Sequence, residues 1–354
     1  MSCNSERLKG IGLQTKLGYN TMKIAFLFPG QGSQVVGMGK ELYDNFACAR
    51  QLFEKVDAAL GENLSKLIFE GPEDALTLTT NAQPALMAVS VAASLVLEEL
   101  SGRSICSLAQ VCAGHSLGEY SALAAMGALP VDTTARLLRK RGAAMQQAVR
   151  AEEGAMAAIL GLGMDEVETV VAKACEGVEV CKGTGVCEGK EVCEVANDNA
   201  PGQIVISGHK PTVLRAAELA KSSGAKRALL LPVSAPFHCS LMQPAAEVMA
   251  QELAACTWPE KLPMPLVANV LAQSYDKGAC SAALLCEQVT GRVRWRESML
   301  WLADQGYTHV IELGAGKVLA GLMKRTCKSV IATSAGTPGE LEILAKQLGE
   351  EGNV

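Results

Sequence analysis

The chain of 354 residues is 49% hydrophobic and 19% charged, enough apolar side chain for a large buried core and too little charge for wholesale disorder. A formal net charge of −5 excludes a general nucleic-acid binder, which needs a basic face to neutralise phosphate. The length accommodates two or three average domains, or one large unit carrying a smaller insertion.

Residues 1–22 contain Arg7, Lys9 and Lys16 with little acid and lack an amphipathic apolar face, so they read as a disordered extension rather than a targeting helix. Apolar, β-branched runs at 24–28, 110–115, 229–234, 265–269, 310–313 and 330–333 are predicted strands, with helical patterns between most of them. The apolar run 87–97 is too short to cross a bilayer and closes on Glu98 and Glu99, which predicts a buried helix and no membrane anchor. Strands alternating with crossover-length helices predict an α/β fold, a mostly parallel sheet covered by helices in a hydrolase-like large domain. Ligands in such folds sit at the carboxyl ends of the strands.

The middle of the chain has another rhythm. A strand at 155–160, a helix at 165–175, strands at 192–196 and 203–207, a helix at 211–222 and a strand near Ala228 give a β-α-β-β-α-β order, the ferredoxin-like pattern. Residues 150–227 are therefore expected to form an inserted ferredoxin-like small domain, leaving 23–149 and 228–354 as the large catalytic domain. Inside the insert Cys175, Cys181, Cys187 and Cys193 recur every six residues. Zinc ligands come in pairs two to four residues apart, so this spacing predicts a short tandem repeat in an expanded surface hairpin, with no metal. The thirteen cysteines are odd in number and scattered, which points to a reducing, cytoplasmic setting.

Gly114-His115-Ser116-Leu117-Gly118 lies between a predicted strand and a helical stretch, the context of a nucleophile elbow. Glycines at both ends relieve crowding where the backbone doubles back. A serine hydroxyl needs a base, and the chain has four histidines, at 115, 209, 238 and 309. His115 is locked beside the serine, His209 follows a turn glycine, and His309 begins an apolar strand. His238, just beyond the apolar run starting at Leu229, is the best candidate. A second glycine-bearing loop, Pro29 to Gln34, follows the first strand; it either directs amide groups at a substrate oxygen or is a plain turn. Arg141, one of the run Arg136, Arg139, Lys140 and Arg141, has no distinguishing mark on these grounds.

The motifs GQGSQ, GHSLGEYSA, RKRGAAMQ, NDNAPGQIVISG, APFHCSLM and ELGAGKVLAGL follow one another in that order from about residue 23 to residue 350. In this the chain resembles the malonyl-CoA:acyl carrier protein transacylase family. The resemblance implies Ser116 as nucleophile, His238 as base, the backbone amides of Gln31 and Leu117 as oxyanion hole, and Arg141 as the grip on the malonyl carboxylate. It also implies that the backbone carbonyl of Gln288 orients the histidine where hydrolases use an acid, and that Phe237 limits the acyl group to malonyl. Ala315 stands where the family more often has proline, and the cysteine repeat lengthens a hairpin.

The implied partners are malonyl-CoA as donor and an acyl carrier protein as acceptor, with no bound cofactor, no nucleic acid and no membrane; a monomer is expected. An acidic carrier needs a local basic patch on an acidic transferase, for which Lys221, Lys226, Arg227, Arg292, Arg294 and Lys317 are candidates. A GxSxG serine hydrolase and a non-catalytic module of the same fold are the rival readings.

Overall fold

The computed structural model describes residues 22–150, 152–176, 179–182, 186–233 and 235–350; all of the expected extension at 1–22 except Met22, and Ser234, lie outside them. Twelve strands occur among the described residues: β1 (Ile24–Phe28), β2 (Val111–Gly114), β3 (Gly154–Leu160), β4 (Glu179–Lys182), β5 (Val186–Lys190), β6 (Cys193–Ala200), β7 (Gln203–His209), β8 (Arg227–Leu230), β9 (Lys261–Ala268), β10 (Gln273–Lys277), β11 (His309–Leu313) and β12 (Ile331–Ala335). Six form the main sheet in the order β10-β9-β2-β1-β11-β12. All its pairings are parallel except β10 with β9.

The central strands β1 and β2 are apolar throughout because both faces are covered, whereas β9 starts with exposed Lys261 and Pro263 and the edge strand β12 exposes Ile331 and Thr333. All five residues of β1 are buried, and they divide by the two-residue period of a strand: Ile24, Phe26 and Phe28 pack into one core, Ala25 and Leu27 into another on the opposite face. Cys112 and Ile311 join the first core, Val111, Ala113 and Val310 the second. The helix Thr79–Ser101 runs through the first core and is long and apolar enough to cross a membrane, but its central residues are packed against protein. This is the buried helix expected from residues 87–97. Its internal Pro84 has no N–H to offer Thr80, whose carbonyl instead accepts from Arg139 at 2.7 Å.

A second sheet is antiparallel, in the order β6-β7-β3-β8. Ala157, Ile159, Val195, Ile204 and Ile206 turn one face to the helices Met164–Cys175 and Lys210–Ser222. Met156, Ala196 and Val205 turn the other face into the main core. β4 and β5 pair as a two-stranded hairpin with Cys181 opposite Cys187.

One expectation is corrected. The apolar run from Leu229 is not a strand of the large sheet: Leu229 and Leu230 belong to β8 and pair with Ala158 and Ala157 on the edge of the smaller sheet. After Leu230 the described residues 231–233 and 235–238 have no regular structure. The apolar character of this run reflects exposed edge positions, with Leu229 and Leu230 about half exposed, and a cavity-lining stretch at Leu231, Pro232 and Val233.

Candidate active site

The turn that carries Ser116 is forced by its neighbours. β2 ends at Gly114 and a helix begins at Gly118. A Cβ on Gly114 would lie 1.9 Å from the carbonyl carbon of Gly118, and one on Gly118 would lie 2.3 Å from the Phe28 oxygen, so both positions require glycine. Between them Ser116 sits at φ 53, a left-handed conformation that a non-glycine residue adopts only under constraint. His238 is also left-handed, at φ 57. Two of the three non-glycine residues at positive φ among the described residues are thus the pair expected to react, the third being Ala272.

That pair is in contact. Ser116 Oγ lies 2.8 Å from His238 Nε2, and His238 Nδ1 lies 2.9 Å from the Gln288 carbonyl oxygen. A carbonyl can only accept, so Nδ1 carries the proton and Nε2 is free to receive one from the serine. The ring is buried. Burial, reinforced by the positive charge of Arg141, lowers the imidazole to about 3, which keeps it neutral and basic in form. No carboxylate orients the histidine; the backbone of the helix Ser281–Thr290 does.

Arg141 is 1% exposed. Its guanidinium donates to Gln83 Oε1 at 2.7 Å, to Gln288 Oε1 at 2.8 Å and to Ser116 Oγ at 3.1 Å, while Nε has no partner among the described residues. All the side-chain acceptors it has are neutral. Burial pulls this arginine below its ordinary range, as expected for a desolvated cation with no ionised partner. The acid in its electrostatic neighbourhood is Glu119, whose carboxyl burial pushes up to about 8, so that side chain is mostly protonated at neutral pH.

The two amides assigned to an oxyanion hole flank the same space. Leu117 opens the helix after the elbow, and neither its N–H nor that of Gln31 donates a hydrogen bond to a described residue. Gly30 brings the second loop close, since a Cβ there would meet the His115 oxygen at 2.6 Å. Gln31, Ser116, Leu117, Arg141, Phe237 and His238 all line one cavity of about 310 Å³. Gln288 lies behind it: besides its carbonyl contact to His238, its Nε2 donates to the Ser116 backbone carbonyl oxygen at 2.9 Å. Met156 and Val205 of the smaller sheet form part of the opposite wall.

Three residues at this site escaped the sequence reading. Gln83 and Thr79, on the buried helix, link the second loop to the arginine: Thr79 Oγ1 donates to Gln31 Oε1 at 2.9 Å and Gln83 Nε2 donates to Thr79 Oγ1 at 3.1 Å. Both lie in the polar opening segment of that helix, Thr79 to Gln83, where only their burial sets them apart from Thr80 and Asn81. The third is Asn199, whose Oδ1 meets His115 Nε2 at 2.8 Å. The remaining histidines are structural: His209 Nδ1 accepts the Val192 N–H at 2.8 Å and His309 Nδ1 lies 2.9 Å from Thr308 Oγ1. Among the basic candidates, Lys221, Arg292, Arg294 and Lys317 pair with Glu218, Glu168, Glu297 and Glu340, and Lys226 and Arg227 are exposed at the edge strand.

Residues 25–342 match the acyl transferase domain family. The malonyl CoA-acyl carrier protein transacylase of Bacillus subtilis is 46% identical over 329 residues, covering 93% of this chain and 98% of the relative. An acyl-carrier-protein-S-malonyltransferase of Bartonella henselae has a solved structure with a TM-score of 0.86 and 50% identity, covering 93% of this chain and all of that one. A malonyl-transacylase solved in complex with its type II PKS acyl-carrier protein matches with a TM-score of 0.84 at 36% identity, over 92% and 99% of the two chains. With the strained serine, the backbone-oriented histidine and the buried arginine in one cavity, similarity of this extent means that the chain belongs to the malonyl CoA-acyl carrier protein transacylase family.

Proposed function

We propose that this chain transfers malonyl from coenzyme A to the phosphopantetheine thiol of an acyl carrier protein, through an ester on Ser116, in fatty acid biosynthesis. The observation that carries the reading is Arg141: a buried guanidinium without an ion pair among the described residues, 3.1 Å from the serine oxygen. A buried cation is stable only when paired or ligated, and a malonyl carboxylate is an anion of the right reach. Arginine binds a carboxylate through two parallel hydrogen bonds, so an acetyl group would leave the fork unmatched.

In the first half-reaction Ser116 Oγ attacks the thioester carbonyl while its proton passes to His238 Nε2. The tetrahedral oxyanion is held by the Gln31 and Leu117 amides, at the N-terminus of the helix Gly118–Ala125. Collapse breaks the C–S bond, and the proton moves from the imidazolium to the coenzyme A thiolate. The carrier thiol then repeats these steps in reverse. Serine, histidine and backbone amides supply the chemistry; coenzyme A enters as substrate and phosphopantetheine arrives on the partner.

The complex of a relative with its acyl-carrier protein supports a carrier as acceptor. The strand order β6-β7-β3-β8 with two helices on one face supports a ferredoxin-like insertion between the large-domain segments 23–149 and 228–354, and the pairing of β8 extends its exit to Leu230. The ten cysteines whose side chains are described are all free, which fits a cytoplasmic enzyme; we take it to act as a monomer.

The test is intact mass. Incubation with malonyl-CoA should add one malonyl group, addition of a phosphopantetheinylated carrier should remove it, and Ser116→Ala should take up none. Labelling that persists in Ser116→Ala rejects the assignment.

A further inference from the structure

We infer that Asn269 is a positioning residue that staples the nucleophile turn, and that Glu119 holds Asn269 in register for that task. The inference rests on the reading of Ser116 as nucleophile. Asn269 follows β9, whose Val267 pairs with Ala113 of β2, so the end of one strand is delivered beside the end of the other. It is fully buried and each of its polar groups is engaged. Oδ1 accepts the Ser116 N–H at 2.7 Å, Nδ2 donates to the Gly114 oxygen at 2.7 Å, the backbone N–H donates to Glu119 Oε1, and the carbonyl accepts the Arg294 N–H at 3.0 Å.

The two side-chain bonds clasp the residues on either side of His115. This is where the chain holds a serine at φ 53, a conformation that relaxes toward negative φ when its surroundings allow. Relaxation would carry Oγ away from the 2.8 Å contact with His238. An asparagine side chain offers an acceptor and a donor on one planar amide, complementary to the N–H and C=O that a tight turn turns to the same side. Glu119 closes the arrangement from the first turn of the following helix, fully buried. Strand end, turn and helix are thereby tied in one loop of hydrogen bonds. Asn269 does not line the cavity, so its effect passes through Ser116.

The experiment uses the full chain and compares wild type with Asn269→Ala, Asn269→Asp, Glu119→Leu and Glu119→Gln. Two rates are read: malonyl transfer, and inactivation by a serine-directed phosphonate. Asn269→Ala should lower kcat roughly tenfold to a hundredfold, the cost of displacing a reacting atom by about 1 Å. The KM for malonyl-CoA should stay within about twofold because Arg141 is untouched. Phosphonate inactivation should slow by the same factor as kcat. Asn269→Asp, which keeps the shape and loses the donor to Gly114, should fall likewise. Glu119→Gln keeps an acceptor for the Asn269 N–H and should preserve kcat, whereas Glu119→Leu should behave as Asn269→Ala. Folded Asn269 variants that react at the wild-type rate overturn the inference, and so does a loss confined to KM. Should Asn269→Ala fail to fold, Asn269→Asp and Glu119→Gln carry the same comparison. Wild-type protein that accepts no malonyl on Ser116 overturns the underlying reading instead.

Discussion

At Arg141 two hydrogen bonds to neutral amides hold the guanidinium in place, and no ion pair among the described residues takes up its charge. Replacing it with methionine should lower kcat/KM for malonyl-CoA by roughly 30- to 150-fold, the equivalent of about 2–3 kcal/mol for a charged hydrogen-bonded contact. Acetyl-CoA should lose much less, so the ratio of the two substrates is the measurement. His238 gives a pH prediction. Its folded-state value, near 3, lies below the ordinary 6.5 because burial and Arg141 disfavour the cation. The neutral base therefore persists on acidification, and Ser116 acylation in the free enzyme should not fall as pH drops through 6.5. The stability effect has the matching sign. Between pH 6.5 and 3 the unfolded state binds the proton and the folded state does not, so this residue's contribution to folding weakens as pH falls. An acid limb centred at 6.5 in a pH profile of kcat/KM would contradict this placement.

The helices that set the arginine cross closely because Gly142 lacks a side chain: a Cβ there would lie 2.7 Å from the Thr79 oxygen and from the Thr80 Cα. Gly142→Ala should push the helix Val131–Ala148 away from Thr79–Ser101, costing about 1–3 kcal/mol and separating Arg141 from Gln83. A lower melting temperature and reduced malonyl transfer, with phosphonate reactivity retained, would identify this effect. Elements differed in how plainly the sequence announced them. β1 and β2 were legible because strands buried on both faces are continuous apolar runs, whereas of β9 only the buried second half was expected, its start at Lys261 and Pro263 being exposed. β10, with the sequence QSYDK, was missed because a polar, partly exposed edge strand carries no such run. The strand expected near Ala228 is β8, on the edge of the smaller sheet; the further large-sheet strand expected at 229–234 is absent among the described residues, because the β8 leucines and the cavity-lining residues after them form one apolar stretch that only strand pairing divides. Ser116 and His238 stood in motifs. Gln83 and Asn269 did not, and Asn199 lay in the motif NDNAPGQIVISG with no role attached to it, since a polar side chain acquires meaning only when partners 58 to 153 residues away are brought to it.

On the scale of the molecule, the reactive residues and the acyl wall come from different layers. Ser116, Leu117 and Gln31 are held at the carboxyl edge of the large parallel sheet, and Met156, Val205 and Asn199 come from the smaller one. Phe237 lies at the junction, buried beside His238. Its ring should exclude a branch at the 2-position of the acyl group, and Phe237→Ser should raise the methylmalonyl-to-malonyl ratio of kcat/KM by about tenfold or more, the value of one methyl group in a shaped pocket. An unchanged ratio would remove Phe237 from the determinants of choice.

The exposed outer edge at β8 has a geometric consequence. Its one described neighbour in the sheet is β3, the strand that also bears Met156. The backbone ladder from Leu229 and Leu230 to Ala158 and Ala157 therefore ends on the strand that carries Met156 to the cavity, so the outer rim and the inner wall are two sides of one strand pair.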